Sequence, residues 1–266
     1  LHATPMAVLK QLPEGLIRRL RISCLLVAGF IAVPSWALDA THARFTRLLA
    51  DQVEAGRVDY AALKARPGEL DAYLGELAAV TRPEFDRWEK PGQLAFLINL
   101  YNAATLHLIV ENYPVKSIKD IGGFFKSPWK LPIVRLWGDL VTLDTVEHDL
   151  LRAKYAEPRL HFALVCAAKS CPPLRPEAYV GDRLDAQLND QAKQFLTDPT
   201  KNRVDSAAQT LWLSSIFKWF EGDFTSGGKT LPEFVAPYLS EADRQALAAG
   251  RFKVRFTDYD WSLNRR

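Results

Sequence analysis

The chain is poor in the side chains that carry most covalent and proton-transfer chemistry, with 3 cysteines and 5 histidines among 266 residues. So few cysteines exclude a disulfide-rich scaffold, and a chain of this length can bury enough apolar surface to need none. A charge excess that would select a polyanion is missing too. Setting aside the first 37 residues removes Lys10, Arg18, Arg19 and Arg21 from 34 basic residues and Glu14 from 31 acidic ones, so 30 face 30. The basic balance therefore belongs to the N-terminal segment, and no nucleic-acid partner is expected. Neither an internal repeat nor a linker divides the remainder. It reads as an α+β fold, a single mostly helical domain packed on a small, largely antiparallel sheet.

A membrane-spanning run is also lacking near the N-terminus. The apolar stretch from Cys24 to Val33 is about half of the roughly 20 residues that cross a bilayer. With Arg18, Arg19 and Arg21 before it and Pro34-Ser35-Trp36-Ala37 after it, it has the pattern of a signal peptide cleaved after Ala37. Residues 1–37 are expected to be that leader, residues 1–16 can be an upstream extension of it, and 38–266 form the domain. An uncleaved anchor is the weaker reading. The expected location is periplasmic or secreted, with no permanent membrane insertion after cleavage. Cys24 leaves with the leader, and Cys166 and Cys171 remain.

Helical spacing covers Thr41 to Ala50 and Leu70 to Val80, with a short extended piece or turn at Gly56 to Tyr60 between them. Gln93 to Asn112 is the strongest helix and, being apolar on nearly every face, the expected centre of the core. Tyr113-Pro114 ends it. From Ile118 to Trp137 the chain is rich in Gly, Pro, Trp and Phe. This reads as a long loop that lines a pocket or plugs the core, leading into short strands near Leu131 to Trp137 and Leu140 to Leu143. Asp144-Thr-Val-Glu147 has capping-box spacing, with Asp144 as N-cap and Glu147 reaching back, so a helix to Tyr155 is expected. His161 to Cys166 reads as an apolar strand ended by Lys169-Ser170-Cys171-Pro172-Pro173. A helix over Leu184 to Leu196, a hairpin of Arg203 to Asp205 with Thr210 to Leu213, short helices at Ser214 to Phe220 and within Thr230 to Leu247, and a strand at Lys253 to Phe256 complete the chain.

The stretch from His161 to Pro173 is the most informative, because it places both remaining cysteines beside a histidine. Strand alternation puts Cys166 on the face of Phe162 and Leu164, which suits an inert core residue. Cys171 follows Lys169 and Ser170, where a cation and free backbone N–H groups can lower a thiol pKa, so it is the better nucleophile. A Cys166–Cys171 disulfide is the competing reading. The base is His161, nearest in sequence, or His148, which follows Glu147 and precedes Arg152 by one helical turn. For each histidine the plain alternative is a satisfied structural residue. Asn99 and Asn102 lie on one face of the apolar helix. They either bind carbonyls of the Gly122 to Trp137 loop, the favoured reading, or orient an imidazole. A zinc set of Cys166, Cys171, His161 and His148 fits no common spacing, and no metal or other cofactor is expected.

These residues carry a resemblance. Gly56 to Tyr60, Leu94 to Ala103, Leu143 to His148 with Arg152, His161 to Pro173, Phe217 to Phe220 with Asp223-Phe224, and Tyr259 to Asn264 resemble, in order, the bacterial domain-of-unknown-function family 547. The resemblance runs from about Phe45 to Asn264. It implies an exported bacterial protein whose motif core is Asn99, Asn102, Glu147, His148, Arg152, His161, Cys166 and Cys171. A more distant similarity is to papain-like or transglutaminase-like cysteine enzymes. Those usually carry the cysteine at a helix start upstream of the histidine, whereas here the comparable helix bears Asn99 and Asn102.

The resulting expectation is a Cys/His-centred cleft doing thiol-dependent acyl transfer or hydrolysis on an amide or peptide-like compound. Cys171 is the nucleophile, His161 or His148 the base, and Asn102 or Glu147 the orienting group. Asn99, Arg152, Cys166, Lys169 and Ser170 are binding residues, with N–H groups after Ser170 as oxyanion donors. The alternative is a non-catalytic binding domain for a small amide or peptide-like ligand, held by a disulfide. Thiol–disulfide exchange is disfavoured because the two-residue spacing of redox pairs is absent.

Overall fold

The computed structural model describes residues 38–123 and 126–266. The expected leader at 1–37, with Cys24, and the Phe124-Phe125 pair of the long loop lie outside the described residues. Helix α1 (Ala43–Gln52) leads into a two-stranded hairpin of β1 (Val53–Glu54) and β2 (Arg57–Val58). The hairpin turns on Gly56 at φ +75°, and a Cβ there would stand 2.5 Å from Pro173 Cβ, so only glycine lets the turn touch the Pro172-Pro173 segment. Asp59 then accepts the Ala62 N–H and starts α2 (Tyr60–Ala65), a helix that periodicity did not mark. Next come α3 (Gly68–Ala79), α4 (Arg82–Phe85, capped by Thr81) and α5 (Lys90–Asn112).

Helix α5 is the expected centre. It is apolar all round and long enough to cross a membrane by length and composition, but 89 % of its apolar window is buried inside the fold. Around it pack α1, α2, α3 and the strands β3 (Val134–Leu136) and β4 (Asp139–Val141), an antiparallel hairpin. The long loop serves both expected purposes: Trp137 packs on Phe85, and Trp129 meets Trp261 edge-on at the cleft.

Two local expectations are corrected. The segment after β4 is helical, but Thr142 and not Asp144 takes the first N–H, through Thr142 Oγ1 to Thr145 N at 3.0 Å. Its turns over Thr145–Arg152 are wide π-helical turns, and Glu147 points into the protein instead of back at a cap. The second correction concerns His161 to Cys166, which is no strand. Residues Leu160–Ala163 form the one-turn helix α6, and the chain then runs extended from Leu164. The apolar content was read correctly, but a short apolar run does not tell strand from buried helix.

After α6 come α7 (Leu184–Leu196), β5 (Arg203–Asp205), β6 (Thr210–Ser214), α8 (Ser215–Trp219), α9 (Glu221–Phe224), α10 (Leu231–Val235), α11 (Glu241–Ala249) and β7 (Lys253–Thr257). Strand β6 pairs antiparallel with β5 and parallel with β7, so the three hairpin pairings are antiparallel and this last one is not. A second core forms here from stacked phenylalanines: Phe162 of α6, Phe195 of α7, Phe217 of α8 and Phe224 of α9. The C-terminal tail returns to the first core. Val58 N–H donates to Asn264 O and Asn264 N–H to Ala167 O, each at 3.0 Å, so the tail is stitched between β2 and the cysteine segment.

Candidate active site

Between the two cores lies a cleft of about 220 Å³. One side presents Tyr101 from α5, Glu147 and His148 from the π-helical turns, His161 from α6, and Cys166, Cys171 and Pro172. The other presents Ile216, Trp219 and Phe220 from α8 and its end, with Tyr259 and Trp261 from the tail. The expected thiols, imidazoles and Glu147 therefore meet in one cavity. π-Helical turns are uncommon and concentrate at functional sites, and here they carry Glu147, His148 and Arg152.

The sulfurs form a pair. Cys166 Sγ and Cys171 Sγ stand 2.6 Å apart, Cys166 N–H donates to Cys171 Sγ at 2.8 Å, and Tyr259 Oη is 3.1 Å from Cys166 Sγ. The surroundings divide the pair. Burial opposes ionisation of Cys171, but hydrogen bonds from the Cys166 thiol and Cys166 N–H outweigh it and hold the Cys171 thiol below its ordinary value. Burial and the Cys171 sulfur push Cys166 well above. Exposure runs opposite to expectation, with Cys171 buried and Cys166 half-buried and facing the cleft. The donor that favours the Cys171 thiolate is also not the one foreseen. Cys171 N–H, the donor expected after Ser170, is taken by Ala168 O at 3.1 Å, Lys169 N–H by Ser262 O at 2.8 Å and Ser170 N–H by Asp260 O at 3.2 Å, so none of the three is free for a thiolate or an oxyanion.

His161 is buried and stacked on Phe220, ring centroids 4.0 Å apart. Its Nε2 lies 2.7 Å from Asp223 Oδ2. Burial lowers its pKa to about 4 even though Asp223 pulls the other way, so the imidazole is neutral at pH 7. A neutral ring donating from Nε2 leaves Nδ1 with a lone pair, as a base requires. Asp223 is gripped by Arg152 through Nε at 2.6 Å and Nη2 at 3.1 Å. Against burial, which raises it, the hydrogen bonds from Arg152 and His161 keep its carboxyl below the usual range. Arg152 Nη1 also donates to His148 Nδ1 at 2.8 Å, which sets the tautomer of the second imidazole. Glu147 is buried and accepts from Tyr101 Oη at 3.1 Å, and its pKa is raised, by burial first.

Asn99 and Asn102 act as backbone clamps. Asn102 Oδ1 accepts Val165 N–H at 3.0 Å and its Nδ2 donates to Ala163 O at 2.9 Å. Asn99 does the same for Tyr179, with Nδ2 to its carbonyl at 2.7 Å and Oδ1 from its N–H at 2.9 Å. Satisfying backbone was the favoured expectation, but the segments are 163–165 and 179, not the Gly122 to Trp137 loop. Asn102 therefore holds the chain between α6 and Cys166 and touches no imidazole. Asn99, Lys169 and Ser170 do not line the cleft, and Arg152 reaches it through Asp223, His148 and the Phe220 ring. Among the described residues no group of three metal-ligating side chains comes together.

Sequence reasoning assigned no role to Asp223, the carboxylate on His161, or to Tyr101 and Tyr259. All three stood inside the motif blocks, and Asp223 is 62 positions from its partner, so only tertiary contact reveals the pairing.

Comparison with known proteins places the central part of the chain. Residues 85–196 match the family described as "Protein of unknown function, DUF547". Over that segment the chain is similar to the DUF547 family. The match holds every expected thiol, imidazole and carboxyl of the site but stops short of Asp223, Phe220 and Tyr259. No curated protein and no solved structure matches the chain, so the similarity to papain-like enzymes gains no support.

Proposed function

We propose that this is an exported bacterial protein, periplasmic or secreted, whose cleft carries out thiol-dependent acyl transfer or hydrolysis on a small amide or peptide-like compound. The observation that carries the reading is the convergence of a thiol pair favouring a Cys171 thiolate with an imidazole held by a carboxylate, His161 on Asp223, in one aromatic-walled cleft. Cys171 Sγ attacks the carbonyl carbon and a thioester forms. The C–N bond breaks, and the amine leaves with the proton that His161 took from the thiol. Water or a second nucleophile, deprotonated by His161, then releases the acyl group. Tyr259 Oη, kept protonated because burial and the two sulfurs raise its pKa, is the donor on hand for the oxyanion. This replaces the N–H groups after Ser170.

A panel of acyl p-nitroanilides tests the reading. Cys171→Ala should abolish turnover with the fold intact by circular dichroism, and retained turnover in that variant sinks the mechanism.

The 2.6 Å sulfur separation favours a second reading. There Cys166 and Cys171 are oxidised to a disulfide and the cleft binds the same class of ligand without chemistry. That reading requires no alkylatable thiol before reduction.

A further inference from the structure

Parts of three motif blocks, Gly56 to Tyr60, Lys169 to Pro173 and Ser262 to Asn264, also meet outside the cleft. They converge on a second recess of about 250 Å³, on the other side of the Cys171-Pro172 segment, which lines both cavities. Its floor is fixed by backbone. Asn264 Nδ2 donates to Gly56 O at 3.1 Å, Tyr60 Oη donates to Asn264 Oδ1 at 2.8 Å, and the Val58 and Ala167 backbones hold Asn264 at 3.0 Å on either side.

The walls of the recess carry Arg57, Lys169, Lys201 and Arg265 against a single acid, Asp198. Asp198 is engaged by Lys201 at 3.2 Å. Among the described residues Arg57, Lys169 and Arg265 form no salt bridge. The nearby acids are engaged elsewhere: Glu54 and Asp59 by Arg266, at 3.2 and 3.3 Å, and Asp260, which feels Lys169, by the hydroxyl and N–H of Ser262. Alternation along the extended tail separates Arg265 from Arg266. A domain with balanced charge thus gathers four cations around one concavity, where a field of one sign concentrates.

We propose that this recess is a binding site for a small oxyanion, a carboxylate or a phosphate group, held by Arg57, Lys169 and Arg265. The proposal is independent of the thiol chemistry of the cleft.

Calorimetric titration of the whole protein at low salt tests it, with inorganic phosphate in one arm and succinate in the other. The expected result is saturable binding of at least one probe, weakened by added salt, with the tighter arm identifying the anion class. Replacing both arginines (Arg57→Ala with Arg265→Ala) should weaken it by about tenfold or more. The double substitution Lys229→Ala with Arg251→Ala, which removes the same charge outside the recess, should leave it unchanged. Absence of saturable binding with both probes, or equal loss in the two double variants, overturns the proposal.

Discussion

The chain from Tyr101 to Pro172 supplies the cleft with both thiols, both imidazoles and Glu147, whereas the chain from Ile216 to Trp261 supplies rings, through Trp219, Phe220, Tyr259 and Trp261. The first side is held by polar clamps inside an aliphatic core, with Asn99 and Asn102 each satisfying both a backbone N–H and a carbonyl. The second side is held by aromatic packing, with Phe162, Phe195, Phe217 and Phe224 stacked beneath it. Asp223 joins them, because it belongs to the aromatic side and binds His161 and Arg152 of the polar side. The thiols, the imidazoles and Glu147 thus lie in the matched family segment, while the carboxylate that holds His161 comes from beyond it.

Removing a ring should cost most. Phe217→Ala empties a fully buried site and should lower stability by about 4 kcal/mol in urea denaturation. If the two sides fold as one unit, the single transition moves as a whole; an early partial transition would show that they separate. Asn102→Leu orphans the Val165 N–H and the Ala163 carbonyl and should cost about 3 kcal/mol. A loss under about 1 kcal/mol would contradict the clamp assignment.

Cutting the joint tests the comparison differently. Asp223→Asn keeps the shape but removes the charge that orients His161 and anchors Arg152. Turnover, where a substrate is found, should fall about 100-fold or more, with a stability loss of only about 1 kcal/mol. Full turnover in Asp223→Asn would remove His161 from the proposed mechanism.

Acid should act on the same joint. The pKa of His161 is depressed to about 4 from a reference of 6.5, and that of buried His42 by a similar amount, burial being the main cause for both. Between those values the unfolded chain binds more protons than the folded one. The contribution to stability is therefore fully present above about pH 6.5 and is lost as pH falls through about 4. His161→Gln should flatten the slope of stability against pH in that window, leaving the part due to His42. An unchanged slope would mean that His161 is not buried neutral. The smallest effect on folding is expected at Trp219, which is 46 % exposed. Trp219→Ala should change stability by less than about 1 kcal/mol and should act mainly on ligand affinity.

Much of this was legible in the sequence where the signal is local. The apolar faces of α5, the bounds of α7 and the β5–β6 hairpin follow from periodicity and turn residues. The joint presence of Cys166, Cys171, His161, His148 and Glu147 in one cleft follows from their motif blocks. What misled was local as well: the run from His161 to Cys166 is as apolar as a strand but makes one helical turn, and Asp144-Thr-Val-Glu147 has capping-box spacing although Thr142 does the capping. What could not be read was tertiary. No spacing rule says that Asp223 meets His161, that Asn102 holds Ala163 and Val165, or that the tail at Asn264 closes the back of the cysteine segment.

The central claim is that Cys171 is a thiol poised to ionise beside Cys166. Intact-mass spectrometry after brief iodoacetamide treatment of the native protein, repeated after reduction in denaturant, tests it most directly. The account predicts one rapid native label, mapped to Cys171 and lost in Cys171→Ser, with Cys166 modified only on unfolding. Two cysteines that label only after reduction would contradict it and leave a disulfide-closed binding cleft.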